Sequence, residues 1–223
     1  MRSNGLRVLA AAPVPTEWGT FDTHVFRWQD EAAPEDPDSG CARDHVALTM
    51  GPLAGAEDVP VRVHSECLTS EVFGSLKCDC RKQLVAAQRL ISSTGRGVLL
   101  YLRQEGRGIG LANKIRAYKL QSEGHDTVDA NRLLGLPDDL RDYTPAAEML
   151  KHLGVRSIRL LTNNPLKLDA LRAHGIPAVR ESLVCTTGTH ARSYLSAKRD
   201  RMGHLLPAVL NAEPTLCGNK LLF

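Results

Sequence analysis

Apolar and polar residues along this chain keep two different periods, and the changes of period mark the elements. Valine at positions 59, 61 and 63 alternates with Pro60, Arg62 and His64, the period-2 pattern of a strand, and residues 45–50 form a second β-like run. From about residue 81 to 92 the spacing turns helical, with Leu84, Ala87, Leu90 and Ile91 on one face and Gly95 and Gly97 ending the helix. Ser70 is placed to cap a short helical piece before it. Residues 98–102 are continuously apolar, as in a buried strand, and lead through residues 105–110 into a helix from about 111 to 123. A polar stretch, 124–143, is interrupted by the apolar residues 133–136. Thr144 and Pro145 read as a cap and first turn, with Gly154 closing that helix. Residues 157–161 predict a strand. Asn164 and Pro165 open a helix that Gly175 ends, and 176–179 form a last short strand. Residues 192–204 read as a basic surface helix and 208–223 as a tail. Strand and helix alternate from 97 to 180, which predicts an α/β fold: a mixed sheet with helices packed on it, and sites where strand ends meet helix starts.

Composition narrows this picture. The 223 residues suit one large α/β domain or two small ones, and 43% hydrophobic with 24% charged residues is the balance of a folded globular chain. No run of about 18 apolar residues occurs, so no membrane span is expected. A net charge of +3 is too small to argue for nucleic acid, and 4% aromatics argue against a base-stacking platform. Arg2 and Arg7 flank a short apolar run that imitates a signal peptide. The run is too short and is broken by Pro13 and Pro15, so it reads as an edge strand, and a cytoplasmic location is expected. Residues 29–44, rich in Asp, Glu, Pro and Gly, read as an exposed loop.

Three features carry chemistry. Cys67, Cys78 and Cys80 are clustered, which in a reducing compartment points to a metal or a catalytic group. Cys78 and Cys80 share a side if their segment is extended, and Cys67 can return to meet them. Three thiolates suit zinc with an open fourth position, where water can be activated; the bland alternative is three buried thiols. Cys41, Cys185 and Cys217 read as unremarkable. His64 and Glu66 make a His-x-Glu half-motif of zinc deaminases, but Cys78-Asp79-Cys80 is one residue too tight for the second half and lacks its proline. His64 is otherwise a pocket residue or a satisfied core histidine. The segment 105–110 is neither a Walker A loop nor the dinucleotide fingerprint, yet it follows a strand and opens a helix, so its N–H groups can face an anion. Arg103, Arg107, Lys114, Arg116 and Lys119 concentrate positive charge there, suiting a polyphosphate. Lys114, Arg116 and Lys119 are expected on the solvated face of their helix; Arg107, set between glycines, is harder to explain that way. Thr162 and Lys167, at a second strand-to-helix junction, either grip a phosphate or flank a plain Asn164 cap with Lys167 exposed.

Taken together, residues 62–69, Cys78-Asp79-Cys80, residues 103–111, residues 113–118 and residues 161–167 resemble the GTP cyclohydrolase II family, as do Lys198 and residues 201–206. The resemblance spans roughly residues 16–206 and implies a single catalytic domain over 1–207. It implies zinc, one per chain, on Cys67, Cys78 and Cys80. It implies GTP contacts from Arg62, Val63, His64, Ser65, Glu66, Gln83, Glu105, Gly106, Arg107, Thr127, Thr162 and Lys167, and catalytic roles for Tyr118, Asp139 and Arg141. The implied reaction opens the imidazole ring of GTP at C8. It releases formate and pyrophosphate and leaves 2,5-diamino-6-ribosylamino-4(3H)-pyrimidinone 5′-phosphate, the first step of riboflavin synthesis. Mg2+ with the triphosphate and a homodimer are further implications. The family's proposed nucleophile matches Arg141 with Asp139 as its base, although a guanidinium that stays protonated serves equally well as an electrostatic stabiliser. Tyr118 suits the second hydrolysis, and its presence predicts complete deformylation rather than arrest at the formylated pyrimidine.

Three other readings remain at this point: a paralogue feeding specialised metabolism, a zinc-dependent nucleobase deaminase that would release ammonia, and a zinc-stabilised nucleic-acid module. The last lacks paired Cys/His ligands and interleaved aromatics. The matched motifs fill most of the chain, so the expectation is that it performs the GTP branch without a fused dihydroxybutanone-phosphate synthase domain.

Overall fold

The computed structural model describes residues 5–29, 44–125, 127–137, 139–183, 185, 199, 203 and 205. The expected loop at 29–44, the basic helix at 192–204 and the tail at 208–223 fall almost wholly outside them.

Among the described residues seven strands form one mixed sheet in the order β1-β2-β3-β5-β4-β6-β7. The strands are β1 (Gly5–Thr16), β2 (Gly19–Gln29), β3 (Asp44–Met50), β4 (Val59–Ser65), β5 (Gly97–Leu102), β6 (Ile158–Leu161) and β7 (Ala178–Glu181). β1, β2, β3 and β5 pair antiparallel; β5, β4, β6 and β7 pair parallel. The helices are α1 (Leu68–Glu71), α2 (Cys80–Thr94), α3 (Gly110–Ser122), α4 (Thr127–Leu133), α5 (Thr144–His152) and α6 (Pro165–Ala173), and Glu105–Gly108 forms a 3-10 turn ahead of α3.

The sheet is covered on both faces. Val61, Val63, Val98, Leu100, Ile158 and Leu160 pack with Met149 and Leu150 of α5 and Leu171 of α6 in one apolar cluster. Leu99 and Leu161 pack with Ala87 and Ile91 of α2 in the other. Burial on both faces explains why residues 98–102 are continuously apolar. In β4 the period-2 rule sends its valines to the first cluster, while Arg62 points the other way and reaches Gln83 of α2. The carboxyl ends of β4, β5 and β6 therefore deliver polar residues to one edge, the place where parallel sheets bind ligands.

Several expectations shift. β1 is the edge strand anticipated, but its partner β2 lacks clean alternation. It is specified by hairpin pairing through Gly19, the residue paired with Thr16. Ser70 is not a cap. It lies inside α1, and its Oγ accepts the Arg81 amide at 3.2 Å, tying α1 to α2. Thr144 is not the cap but the first residue of α5, after Tyr143 at the N-cap position, and Asp142 accepts the Thr144 amide and hydroxyl at 2.8 and 2.7 Å. α4 forms within the stretch that reads as polar. The final strand lies two residues later than expected, at 178–181.

Candidate active site

Cys67 follows the end of β4 and caps α1, while Cys80 opens α2. The segment is therefore not extended: Asp79 precedes the helix with φ −104° and ψ 13°, and the turn into α2 is what swings Cys80 beside Cys78. The three sulfurs still converge, all within 4.8 Å of one another, with Cys67 Sγ 3.6 Å from Cys78 Sγ. Three soft donors at that separation match the ligand set of a zinc site with one open position. The Cys67 thiol is held far below the ordinary thiol range by hydrogen bonds from Cys78 and Cys80, against its burial, with Lys114 adding to the effect; Cys78 is pushed up by Cys67. Cys185 is partly buried, and burial pushes its thiol up to about 11.

The α3 helix supplies the surroundings of these sulfurs. Lys114 is not on the solvated face: it is 9% exposed, with Nζ 3.1 Å from Cys67 Sγ and 2.6 Å from Glu105 Oε1. Arg116 and Lys119 are exposed as expected. One turn on, the Tyr118 hydroxyl lies 3.5 Å from Thr69 Oγ1, which lies 3.8 Å from Cys67 Sγ. Burial pushes the Tyr118 phenol up to about 12, so it keeps its proton.

The remaining sites form a second cluster. Arg62 donates to Leu161 O at 2.7 Å and to Gln83 Oε1 at 2.5 Å, and Gln83 donates to Asp79 Oδ2 at 2.6 Å, next to the sulfurs. Asp139 holds Arg141 through two oxygens, with Arg141 Nη2 2.5 Å from Oδ2. Burial opposes the Asp139 charge, but Arg141 holds the carboxyl below its usual range. The Leu140 amide donates to Arg107 O at 3.0 Å, and a Cβ on Gly108 would meet Leu140 at 2.9 Å, so this loop needs glycine to lie against the 139–141 segment. Arg107 itself has φ +63°, an uncommon conformation for a non-glycine residue and one that often marks a functional loop. Lys167 is buried, not exposed, and its Nζ donates to Val63 O at 2.9 Å. Asn164 is the α6 cap, accepting the Leu166 amide at 3.0 Å, and Thr162 Oγ1 accepts the Asn164 amide.

Other named residues have these positions. His64 is buried with Nε2 2.7 Å from Glu71 Oε1, and burial brings its pKa down to about 4. Ser65 Oγ accepts from Gln104, and Glu66 accepts from Arg103 Nε at 2.9 Å. The Gly106 amide donates to Glu105 Oε1. Thr127 opens α4, but its side chain lies outside what is described. Sequence reasoning missed Tyr143. Its buried hydroxyl has no hydrogen-bond partner among the described residues, its ring lies 5.7 Å from Lys167 Nζ and 5.9 Å from the Arg141 guanidinium, and Arg62 and Arg107 also act on it electrostatically. Its place one residue after Asp142, at the mouth of α5, was the available signal.

The α/β sheet thus carries a three-cysteine group able to hold a metal beside a cluster of cations of the kind that can receive a phosphorylated ligand. A family model described as GTP cyclohydrolase II matches residues 7–182. The chain is 52% identical over 202 residues to a GTP cyclohydrolase-2 of Acinetobacter baumannii (strain SDF), covering 90% of this chain and 96% of that one. It is 48% identical over 203 residues to a GTP cyclohydrolase-2 of Aeromonas hydrophila, covering 91% and 98%. It is 50% identical over 204 residues to a riboflavin biosynthesis protein RibBA of Salinispora tropica, covering 90% of this chain and 48% of that one. The chain belongs to the GTP cyclohydrolase II family.

Proposed function

We propose that Cys67, Cys78 and Cys80 hold one zinc ion and that the chain uses it to open GTP at C8. The products are formate, pyrophosphate and 2,5-diamino-6-ribosylamino-4(3H)-pyrimidinone 5′-phosphate. Hydrolysis of GTP for riboflavin synthesis is the activity its family carries. One observation carries the finer reading: a three-sulfur group lies within reach of Tyr118 through Thr69, and the Arg62–Gln83–Asp79 bridge joins it to a cluster of cations.

Zinc bound there supplies a Lewis acid that activates water for hydrolysis of the guanine ring. The protein supplies the rest. Arg62, Arg107, Arg141 and Lys167 attract the triphosphate, with Mg2+ sharing its charge. Tyr118, still protonated at neutral pH, donates its hydroxyl proton toward the ring-opened intermediate as formate leaves. Asp139 is committed to Arg141 through two oxygens, which favours Arg141 as a fixed cation stabilising charge at the α-phosphorus over Arg141 as a nucleophile. The same proposal includes one catalytic domain over 1–207, a homodimer and a cytoplasmic location; no helix among the described residues is long and apolar enough to cross a membrane.

A deaminase reading has less support, because His64 faces Glu71 and the metal-capable group contains cysteines alone among the described residues. The test is to incubate the protein with GTP and Mg2+ and identify products by mass spectrometry. Formate and pyrophosphate together are expected; ammonia release would overturn the proposal.

A further inference from the structure

Lys114 is the residue whose place in the structure departs furthest from its sequence pattern. A lysine at 9% exposure inside a helix that otherwise shows Leu111, Ile115, Arg116 and Lys119 to solvent requires a partner for its charge. It has two: Cys67 Sγ at 3.1 Å and Glu105 Oε1 at 2.6 Å. Glu105 in turn is fixed from both ends. Its Oε1 also accepts the Gly106 amide at 2.6 Å, and its Oε2 accepts the Leu68 amide at 2.7 Å, one residue beyond Cys67. A single carboxylate therefore sets both the position of the ammonium and the backbone that carries the sulfur.

We propose that Lys114, positioned by Glu105, tunes the three-thiolate centre by donating a hydrogen bond to Cys67. This rests on the metal reading above and deepens it. Three thiolates outweigh the charge of a divalent cation and push electron density onto it, which weakens it as a Lewis acid. An N–H···S bond from a full positive charge withdraws part of that density, the usual work of groups just outside a ligand shell.

The test uses full-length protein loaded with Co2+ in place of zinc, which reports thiolate donation as a sulfur-to-metal charge-transfer band. Wild type, Lys114→Met and Lys114→Arg are compared. Losing the hydrogen bond raises the energy of the sulfur lone pairs, so the Lys114→Met band moves to longer wavelength with cobalt still bound. In the zinc forms kcat for formate release falls roughly 10- to 100-fold, the usual cost of removing such an outer group, while KM for GTP stays put. Lys114→Arg keeps the charge and the donor, and returns the band and most of kcat. Lys114→Gln, with a weaker neutral donor, takes the place of Lys114→Met if that variant does not fold, and its band also lies on the long-wavelength side. An unshifted band in the neutral variants overturns the inference alone. So does a rise in KM at constant kcat, which would make Lys114 a phosphate contact, or loss of the metal from a folded Lys114→Met. The absence of any charge-transfer band in wild type overturns the metal reading and this inference with it.

Discussion

The thiolate end of the site and the cation end are built in opposite ways. The sulfurs come from one short stretch, residues 67–80, and their counter-charge is held within the cluster: Lys114 on Cys67, Glu105 on Lys114. The cations come from the ends of different strands and loops; Arg62 and Lys167 each donate to a backbone carbonyl, Leu161 O and Val63 O, while Arg141 is paired with Asp139. A carbonyl satisfies a donor without cancelling its charge. The first end is thus electrostatically self-contained and suited to holding a metal in fixed geometry. The second keeps a surplus of positive charge for a polyanion, with Asp139 its chief acidic member. Chemistry at the ring and recognition of the phosphates should therefore fail separately.

The largest effect falls on the thiolate end. Cys78→Ser should lose zinc and reduce GTP turnover by roughly a thousandfold or more, since a Lewis acid contributes several kcal/mol to the barrier. Binding of a non-hydrolysable GTP analogue, measured by calorimetry, should survive. A metal-free variant with full activity would refute the metal site. At the other end Arg141→Ala should keep its zinc but lower turnover by about 10²- to 10³-fold, the cost of one electrostatic contact made in the transition state. Arg141→Lys should restore part of this if the role is electrostatic. A covalent guanylyl adduct on Arg141, detected by mass spectrometry of the intact protein, would instead show a nucleophilic role.

Tyr118→Phe makes a finer cut, between two steps at the same end. Formate release should fall about 10²-fold while pyrophosphate release continues within a few-fold, so that a formylated pyrimidine accumulates. Parallel loss of both products would remove Tyr118 from the second hydrolysis.

The contrast between the two ends also decides what the sequence could reveal. The thiolate stretch is local, so Cys67, Cys78 and Cys80 are legible from spacing, even though the segment between them is helical and turned rather than extended. The burial of Lys114 and Lys167 was not legible. At each, a helix position that looks solvent-facing by charge is buried because a partner distant in sequence, Glu105 with Cys67 or Val63, waits beneath it. Tyr143 was invisible for the same reason: four cations reach it from four separate segments. In the fold, β4 and β5 were plain because burial on both faces leaves long apolar or Val-alternating runs. β2 owes its existence to pairing with β1 and β3, which no local pattern records.

The smallest effect concerns stability, and it separates the frame behind the site from the site itself. His45 in β3 is buried and accepts the Arg103 amide on Nδ1 at 3.1 Å, which requires a neutral ring. Burial lowers its pKa from 6.5 to about 4, with Asp142 and Asp44 opposing. His64 is lowered to about 4 as well, by burial with Glu71 opposing. In the unfolded chain both rings titrate near 6.5, so between about pH 6.5 and 4 the unfolded state binds more protons than the native one. Stability is therefore complete above the unfolded pKa and is lost as pH falls toward 4, by roughly 1 kcal/mol per pH unit for each ring. Urea unfolding at pH 7.5 and 5.0 should show the loss. Thiol protonation and metal release also act in acid, so the decisive comparison is with His45→Asn, whose side-chain oxygen can accept the same amide without titrating. Its midpoint should fall less between the two pH values than that of wild type, with the same metal content. Equal slopes would show that the Arg103 amide is held in place without help from a neutral His45.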